Sequence, residues 1–175
     1  RGPVERRGDG DAQRTADDRI ALGGRGAPYA FNSGLPGDGR VPAEVVDRAD
    51  LIIVNESEFA ALPQLRKARA VAVTYGAQGA ALYERAEQIA VAPAQTVTPV
   101  STVGAGDAFC AALTIGLRAG LSAETALRAA NAVGAAAVTD PSARPAFPAF
   151  AHFLPDTDET STDPDTDHPD SGARR

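Results

Sequence analysis

The chain has 175 residues, 43% of them hydrophobic and 23% charged, which is ordinary globular composition and enough for one domain with a real core. Its net charge of −6 is concentrated in the last stretch, where Pro155 to Arg175 carries seven acidic residues against Arg174 and Arg175, so the body is near neutral and has no basic face that would suggest nucleic acid. One cysteine excludes an intramolecular disulfide framework, no apolar run approaches a membrane span, and no signal-peptide pattern opens the chain, so a cytoplasmic location is the default expectation.

Residues 1–27 are rich in Arg, Gly and Asp with only scattered apolar positions, and are expected to be an irregular segment. The cluster Gly23-Gly24-Arg25-Gly26 has neither a strand before it nor a helical run after it and reads as a loop. A folded portion is expected over residues 28–154. Tyr29-Ala30-Phe31 reads as a short strand ending at Asn32, with a turn-rich loop to Gly39, and Pro42 to Ala49 suits a helix with proline in its first turn. Leu51-Ile52-Ile53-Val54 is a continuous apolar run, the mark of a strand buried on both faces of a parallel sheet. A short helix over Glu56 to Leu62 follows, then a second such strand from Ala70 to Thr74 and a glycine turn from Tyr75 to Gly79. Ala80–Tyr83 and Gln88–Val91 read as an antiparallel pair.

Phe109, Leu113 and Leu117 recur at helical spacing after Asp107, and Gly120 suits the end of that helix. Cys110, among them, reads as a small packing residue. Ser122 is a good N-cap for a helix over Ala123 to Val138, broken at Asp140-Pro141, and Pro148 to Leu154 reads as a short last helix. The tail 155–175 lacks apolar residues and is expected to be disordered. Strands alternating with helices predict an α/β layered fold, helix on sheet on helix.

The stretch TVGAGDAF organises the functional reading. Gly104-Ala105-Gly106 is a turn of small residues opening a helix, which gathers unpaired backbone N–H groups and the positive end of the helix dipole where an anion can sit. Asp107 beside it would repel a phosphate, unless the acid takes a proton from a nucleophile attacking phosphorus while the amides hold the transferred group. The plain alternative is an acid in the first turn of a helix, stabilising the dipole by up to about 1 kcal/mol.

Ligands of open α/β sheets sit at the carboxyl ends of the strands, where Asn55 and Gly76 fall and where the Gly104 turn joins them if its helix packs on the sheet. Asn55 and Glu58, three residues apart, suit a water-mediated Mg²⁺ site beside phosphates, or equally a plain capping box. Thr74, Gly76 and Gly79 could let backbone approach a nucleotide or simply make a tight turn. Asn131, polar on an apolar helix, is either a satisfied core amide or a ligand contact. Other chemistries lack their residues. No GK[ST] follows a glycine loop and Lys67 is the only lysine, which removes a Walker-type site. GAGDAF lacks the third glycine of the dinucleotide fingerprint. His152 and His168 lie far in sequence from any nucleophile, so neither a His-dependent triad nor a zinc site has support.

VSTVGAGDAF resembles the C-terminal signature of the ribokinase-like (PfkB-type) carbohydrate kinases, and NESE, VTYGAQGA, TVGAGDAFCAAL and the Ala-rich helix with Asn131 occur in that family's order, from about Tyr29 to Leu154. The resemblance implies a ribokinase-like fold and ATP-dependent phosphorylation of a sugar or related small-molecule hydroxyl. It implies Asp107 as catalytic base and the amides of Gly104, Ala105 and Gly106 as the anion hole. Asn55 and Glu58 would organise Mg²⁺ and phosphates, and Thr74, Gly76, Gly79 and Asn131 would line the nucleotide site. Ser101 stands where the family usually has an aspartate of its monovalent-cation loop, which leaves a monovalent cation in doubt. Complete members are nearly twice this long, and nothing in residues 1–27 resembles the half that supplies most sugar contacts and a β lid. The expectation is therefore the nucleotide-binding C-terminal portion of such a kinase, with a truncated, non-catalytic nucleotide- or partner-binding remnant as the alternative. Uncovered sheet edges would invite association, which leaves a homodimer open.

Overall fold

The structure is a computed structural model in which residues 30–32, 41–142 and 145–155 are described. The readings made for residues 1–27, for Tyr29, for the loop to Gly39 and for the tail beyond Pro155 lie outside those residues.

Five strands form one sheet in sequence order: β1 (Ala30–Asn32), β2 (Leu51–Asn55), β3 (Ala70–Thr74), β4 (Ala80–Glu84) and β5 (Glu87–Ala92). β1, β2 and β3 are parallel, while β4 and β5 return antiparallel. Parallel neighbours need a crossover. Helix α1 (Ala43–Arg48) lies between β1 and β2, and α2 (Glu56–Ala61) between β2 and β3. β4 and β5 need only Arg85 and Ala86, both at positive φ (47° and 69°), as a two-residue hairpin turn requires.

The period of two along each strand sorts the apolar residues onto two faces. Leu51, Ile53, Ala70, Ala72 and Leu82 point to one face and pack against α3 (Ala105–Arg118) and α4 (Ala123–Thr139). Ile52, Val54, Val71 and Val73 point to the other, against Val46 of α1, Leu62, Leu65 and Ala68. The expected helix–sheet–helix layering is therefore present, and the continuous LIIV run reads as it does because both faces are covered.

α3 and α4 cross closely because Gly116 has no side chain: a Cβ there would stand 3.2 Å from the Ala126 Cβ and 3.3 Å from Leu121 Cδ1. α3 ends at Gly120, φ +78°, where Leu121 N–H donates to Gly116 C=O and Gly120 N–H to Leu117 C=O, the paired bonds of a Schellman cap. Ser122 caps α4 by accepting from Thr125 N–H, as expected.

Two details differ from the expectation. A 3-10 segment over Pro63–Lys67, with Leu65 buried, occupies the link between α2 and β3, where no element was read. At the other end the short last helix is a single 3-10 turn over Phe150–Phe153. Pro145 and Pro148 contribute no N–H, and four residues are too few to repay helix nucleation. No helix of the described residues is long and apolar enough to cross a membrane.

Candidate active site

β2 and β3 end together, Asn55 opposite Thr74 in the parallel register. Asn55 caps α2, its Oδ1 accepting from Glu58 N–H at 2.9 Å while Glu58 Oε2 accepts from Asn55 N–H at 2.8 Å. The capping box is thus realised. Glu58 is 9% exposed, and its Oε1 has no hydrogen-bond partner among the described residues. A buried carboxylate oxygen left over in this way calls for a cation or water.

Thr74 Oγ1 donates to Val54 C=O at 3.4 Å, joining the two strand ends. Tyr75 N–H donates to Gly79 C=O at 2.8 Å and closes the glycine turn. Gly79 has φ +106° and ψ −142°, and a Cβ on it would overlap the Ala92 carbonyl oxygen and lie 2.7 Å from Ala94 N. Only glycine permits that backbone-on-backbone contact.

The turn before α3 uses Gly104 at φ +81°, in the left-handed region, as a helix cap with no side-chain hydrogen bond. The start of α3 therefore keeps its first-turn amides for other partners, unlike α2 and α4. Ala105 N–H meets Thr102 C=O only at 3.4 Å, and a Cβ on Gly106 would touch nothing, so the approach to these amides is open. The loop leading in is pinned to the end of α4, with Val100 and Ser101 N–H both donating to Val138 C=O at 2.7 and 3.1 Å. Ser101 Oγ accepts from Val103 N–H at 3.3 Å and so holds the loop.

Thr74, Gly76, Gly79, Ala105, Gly106 and Asn131 all border one cavity of about 510 Å³, closed by Thr96, Val97 and Pro99. Of the rim read from Asn55, Gly76 and the Gly104 turn, Gly76 borders this cavity together with Ala105 and Gly106 of the turn. Gly104, Asn55, Glu58 and Asp107 lie outside its lining. Asn131 is 8% exposed, and its Nδ2 donates to Ala92 C=O at 2.9 Å and Pro93 C=O at 3.1 Å. The opposite amide orientation would set an oxygen against two carbonyls, so the assignment is fixed by chemistry. Asn131 borders the cavity and its donors hold the start of the loop that walls it. That wall went unread in the sequence, since residues 93–99 have no periodicity; a buried amide needing acceptors was the only signal of it.

Helical spacing turns Ala105, Gly106 and Phe109 towards the cavity and Asp107 onto another flank of α3, with Cys110 and Thr114. Asp107 is exposed there. Burial pushes the Cys110 thiol up to about 11, with the Asp107 and Glu58 carboxylates adding to the rise. No cluster of three or more His, Cys, Asp or Glu side chains of metal-binding geometry occurs among the described residues. Glu58 fits Mg²⁺ only as one ligand of an ion that keeps its waters and uses phosphate oxygens, which is that ion's habit.

Of two further cavities among the described residues, one lies away from this chemistry and one adjoins it, sharing Ala94, Gln95, Val97 and Ala135 with the cavity above. One of about 960 Å³, bordered by Asp50, Lys67, Arg69 and Arg85, is at the amino ends of β2 and β3, opposite the edge where ligands of such sheets sit. Another of about 480 Å³ lies between α4 and the Phe153 turn.

Comparison with known proteins adds the relatives. The chain is 36% identical to the ribokinase of Bacillus subtilis over 96 residues, half of this chain and 32% of that one. It is 43% identical over 77 residues to the ATP-dependent 6-phosphofructokinase isozyme 2 of Mycobacterium tuberculosis, 43% of this chain and 22% of that one. Among solved structures, a sugar kinase of Pyrococcus horikoshii in complex with ATP superposes with a TM-score of 0.59 at 29% identity, covering 67% of this chain and 43% of that one. A nucleoside kinase of Burkholderia thailandensis with inosine gives a TM-score of 0.61 at 24% identity, over 73% and 47% of the two chains, and shares the fold. This chain therefore spans about a third or less of the curated relatives named and under half of the structures. The family model described as pfkB family carbohydrate kinase matches residues 38–149, well over half of the chain, and with the ribokinase fold and the glycine turn in their places, the chain belongs to that family.

Proposed function

We propose that the chain is the nucleotide-binding portion of an ATP-dependent kinase acting on a sugar or related small-molecule hydroxyl. The observation that carries this reading is the start of α3, uncapped and open at Gly106, facing the same cavity as the Thr74–Gly79 turn. A nucleotide lying against Thr74, Gly76, Gly79 and the Asn131-held loop would reach its terminal phosphate to the amides of Gly104, Ala105 and Gly106. Those amides would stabilise the charge that grows on the transferred group's oxygens. Asp107, on another flank of the same helix start, would face an acceptor hydroxyl across that point. Its carboxylate would accept the hydroxyl proton as the new O–P bond forms and the bond to ADP breaks. Mg²⁺, when bound, would neutralise the phosphates, and Glu58 with Asn55 is the pair positioned to hold it through water. Positioning and charge neutralisation carry most of the barrier reduction in such a transfer, with one base sufficient.

A second reading is that the chain binds nucleotide without turning over. A thermal melt with and without Mg²⁺-ATP tests what the two readings share. Both expect a transition that moves up with nucleotide, because a ligand that binds only the folded state stabilises it. ADP release in the presence of a sugar panel then separates them. Asp107→Asn is expected to cut that release by about a thousand-fold or more while nucleotide still raises the melt; retained turnover would sink the assignment of the base.

A further inference from the structure

The Gly76–Gly79 turn and helix α2 leave the ends of β3 and β2, which the strand register and the Thr74–Val54 bond hold together. A pair of tyrosines behind the sheet adds a second tie beyond those ends. Tyr75 holds the turn through its backbone, donating from N–H to Gly79 C=O and accepting at C=O from Gln78 N–H at 3.2 Å. Its side chain leaves on the opposite side from the cavity and packs into the second core with Phe59 and Tyr83. The Tyr75 and Tyr83 hydroxyl oxygens are 3.1 Å apart, and Tyr83 donates to Gln88 Oε1 at 3.2 Å. The Tyr83 ring stacks on Phe59, centroids 5.3 Å apart and planes 27° from parallel, and Phe59 is the residue after Glu58 in α2.

We propose that Tyr75 and Tyr83 are positioning residues whose hydroxyl bond, with the Tyr83–Phe59 stack, sets the nucleotide turn at a fixed distance from the α2 arm carrying Asn55 and Glu58. The functional side of this statement rests on the nucleotide reading above; the mechanical side does not. Packing alone would be served by phenylalanine at both positions. The hydroxyls add direction, since a hydrogen bond fixes an angle where an apolar contact does not.

The test is residue-resolved amide hydrogen exchange on the whole chain, with calorimetric titration of Mg²⁺-ATP in parallel. Tyr83→Phe lies outside both the turn and α2, yet it is expected to speed exchange at Gln78, Gly79 and Glu58 by about three- to ten-fold, the worth of one such bond, and to leave Val73 in the strand centre protected. Tyr75→Phe should reproduce the effect at the turn, and the double variant should be no worse than Tyr83→Phe, because one bond is shared. Unchanged exchange at Glu58, or an equal rise at Val73, overturns the pair as a positioning device. Nucleotide affinity should weaken several-fold in Tyr83→Phe with Val73 still protected; unweakened affinity overturns the functional side. A wild-type chain that takes no nucleotide overturns the nucleotide reading, and the functional side with it, while exchange still decides whether the pair ties the turn to α2.

Discussion

Replacing Gly79 by alanine should be far more damaging than the same replacement three residues earlier. Gly79 combines φ +106° with a backbone packed directly on the β5 exit, where an added Cβ would overlap the Ala92 carbonyl oxygen and approach Ala94 N to 2.7 Å and Pro93 C to 2.8 Å. The dihedral alone costs a non-glycine residue about 1–3 kcal/mol, and forcing atoms into an occupied space adds about 1–3 kcal/mol more. The neighbours are main chain and cannot rotate aside. Gly76 also has positive φ, +57°, but a Cβ there meets nothing, so alanine pays only the left-handed penalty of about 1–2 kcal/mol. A domain of this size holds roughly 5–15 kcal/mol in all, so Gly79→Ala should remove a large part of it. The chain has no tryptophan, so urea unfolding followed by far-UV circular dichroism is the suitable assay. Gly79→Ala should lower the midpoint at least twice as much as Gly76→Ala, at equal slope. Equal midpoints would refute the argument that the Gly79–Ala92 contact dictates the residue.

Asn131→Leu leaves the Ala92 and Pro93 carbonyls without their donor and should cost about 2–4 kcal/mol in the same assay; Asn131→Asp, acceptor against acceptor, should be no better, and nucleotide should stabilise both variants less than wild type. Ser122→Ala removes the cap on Thr125 N–H and should cost about 1 kcal/mol, with no effect on a nucleotide-induced rise in Tm. Alkaline pH gives a fourth measurement. The folded Cys110 thiol is raised from 9.0 to about 11, chiefly by burial, so the folded state keeps a proton that the unfolded state loses. Its contribution is complete below pH 9 and disappears as pH rises towards 11, and Cys110→Ala should flatten that limb of the stability profile.

The parts of the fold that stood out in the sequence are those where one physical signal dominates. Leu51–Val54 and Ala70–Thr74 have apolar side chains on both faces, Ser122 and Gly120 bracket the helix junction, and Gly104 to Asp107 open a helix. The Pro63–Lys67 turn escaped because its buried anchor, Leu65, is a single residue with no period. The residues alone left Asn131 open between a core amide and a ligand contact, since an amide's partners depend on a strand exit 39 residues away in sequence. Tyr75 and Tyr83 escaped for the same reason: each looks like an ordinary strand-end aromatic until β3 and β4 are paired. Asn55 and Glu58 show the remaining kind of ambiguity. A capping box and a metal-facing carboxylate use the same two residues, and the structure shows the first.

Because β1 to β5 lie side by side in the order in which they are made, each strand leaving the ribosome finds its neighbour just completed, and the sheet can assemble as it emerges. The face formed by Leu51, Ile53, Ala72 and Leu82 has no such luck, since α3 and α4, which cover it, come last. At translation rates of about 5–20 residues per second, the stretch after β5 takes roughly 2–10 s to appear. For that interval the apolar face of the sheet is left without its cover.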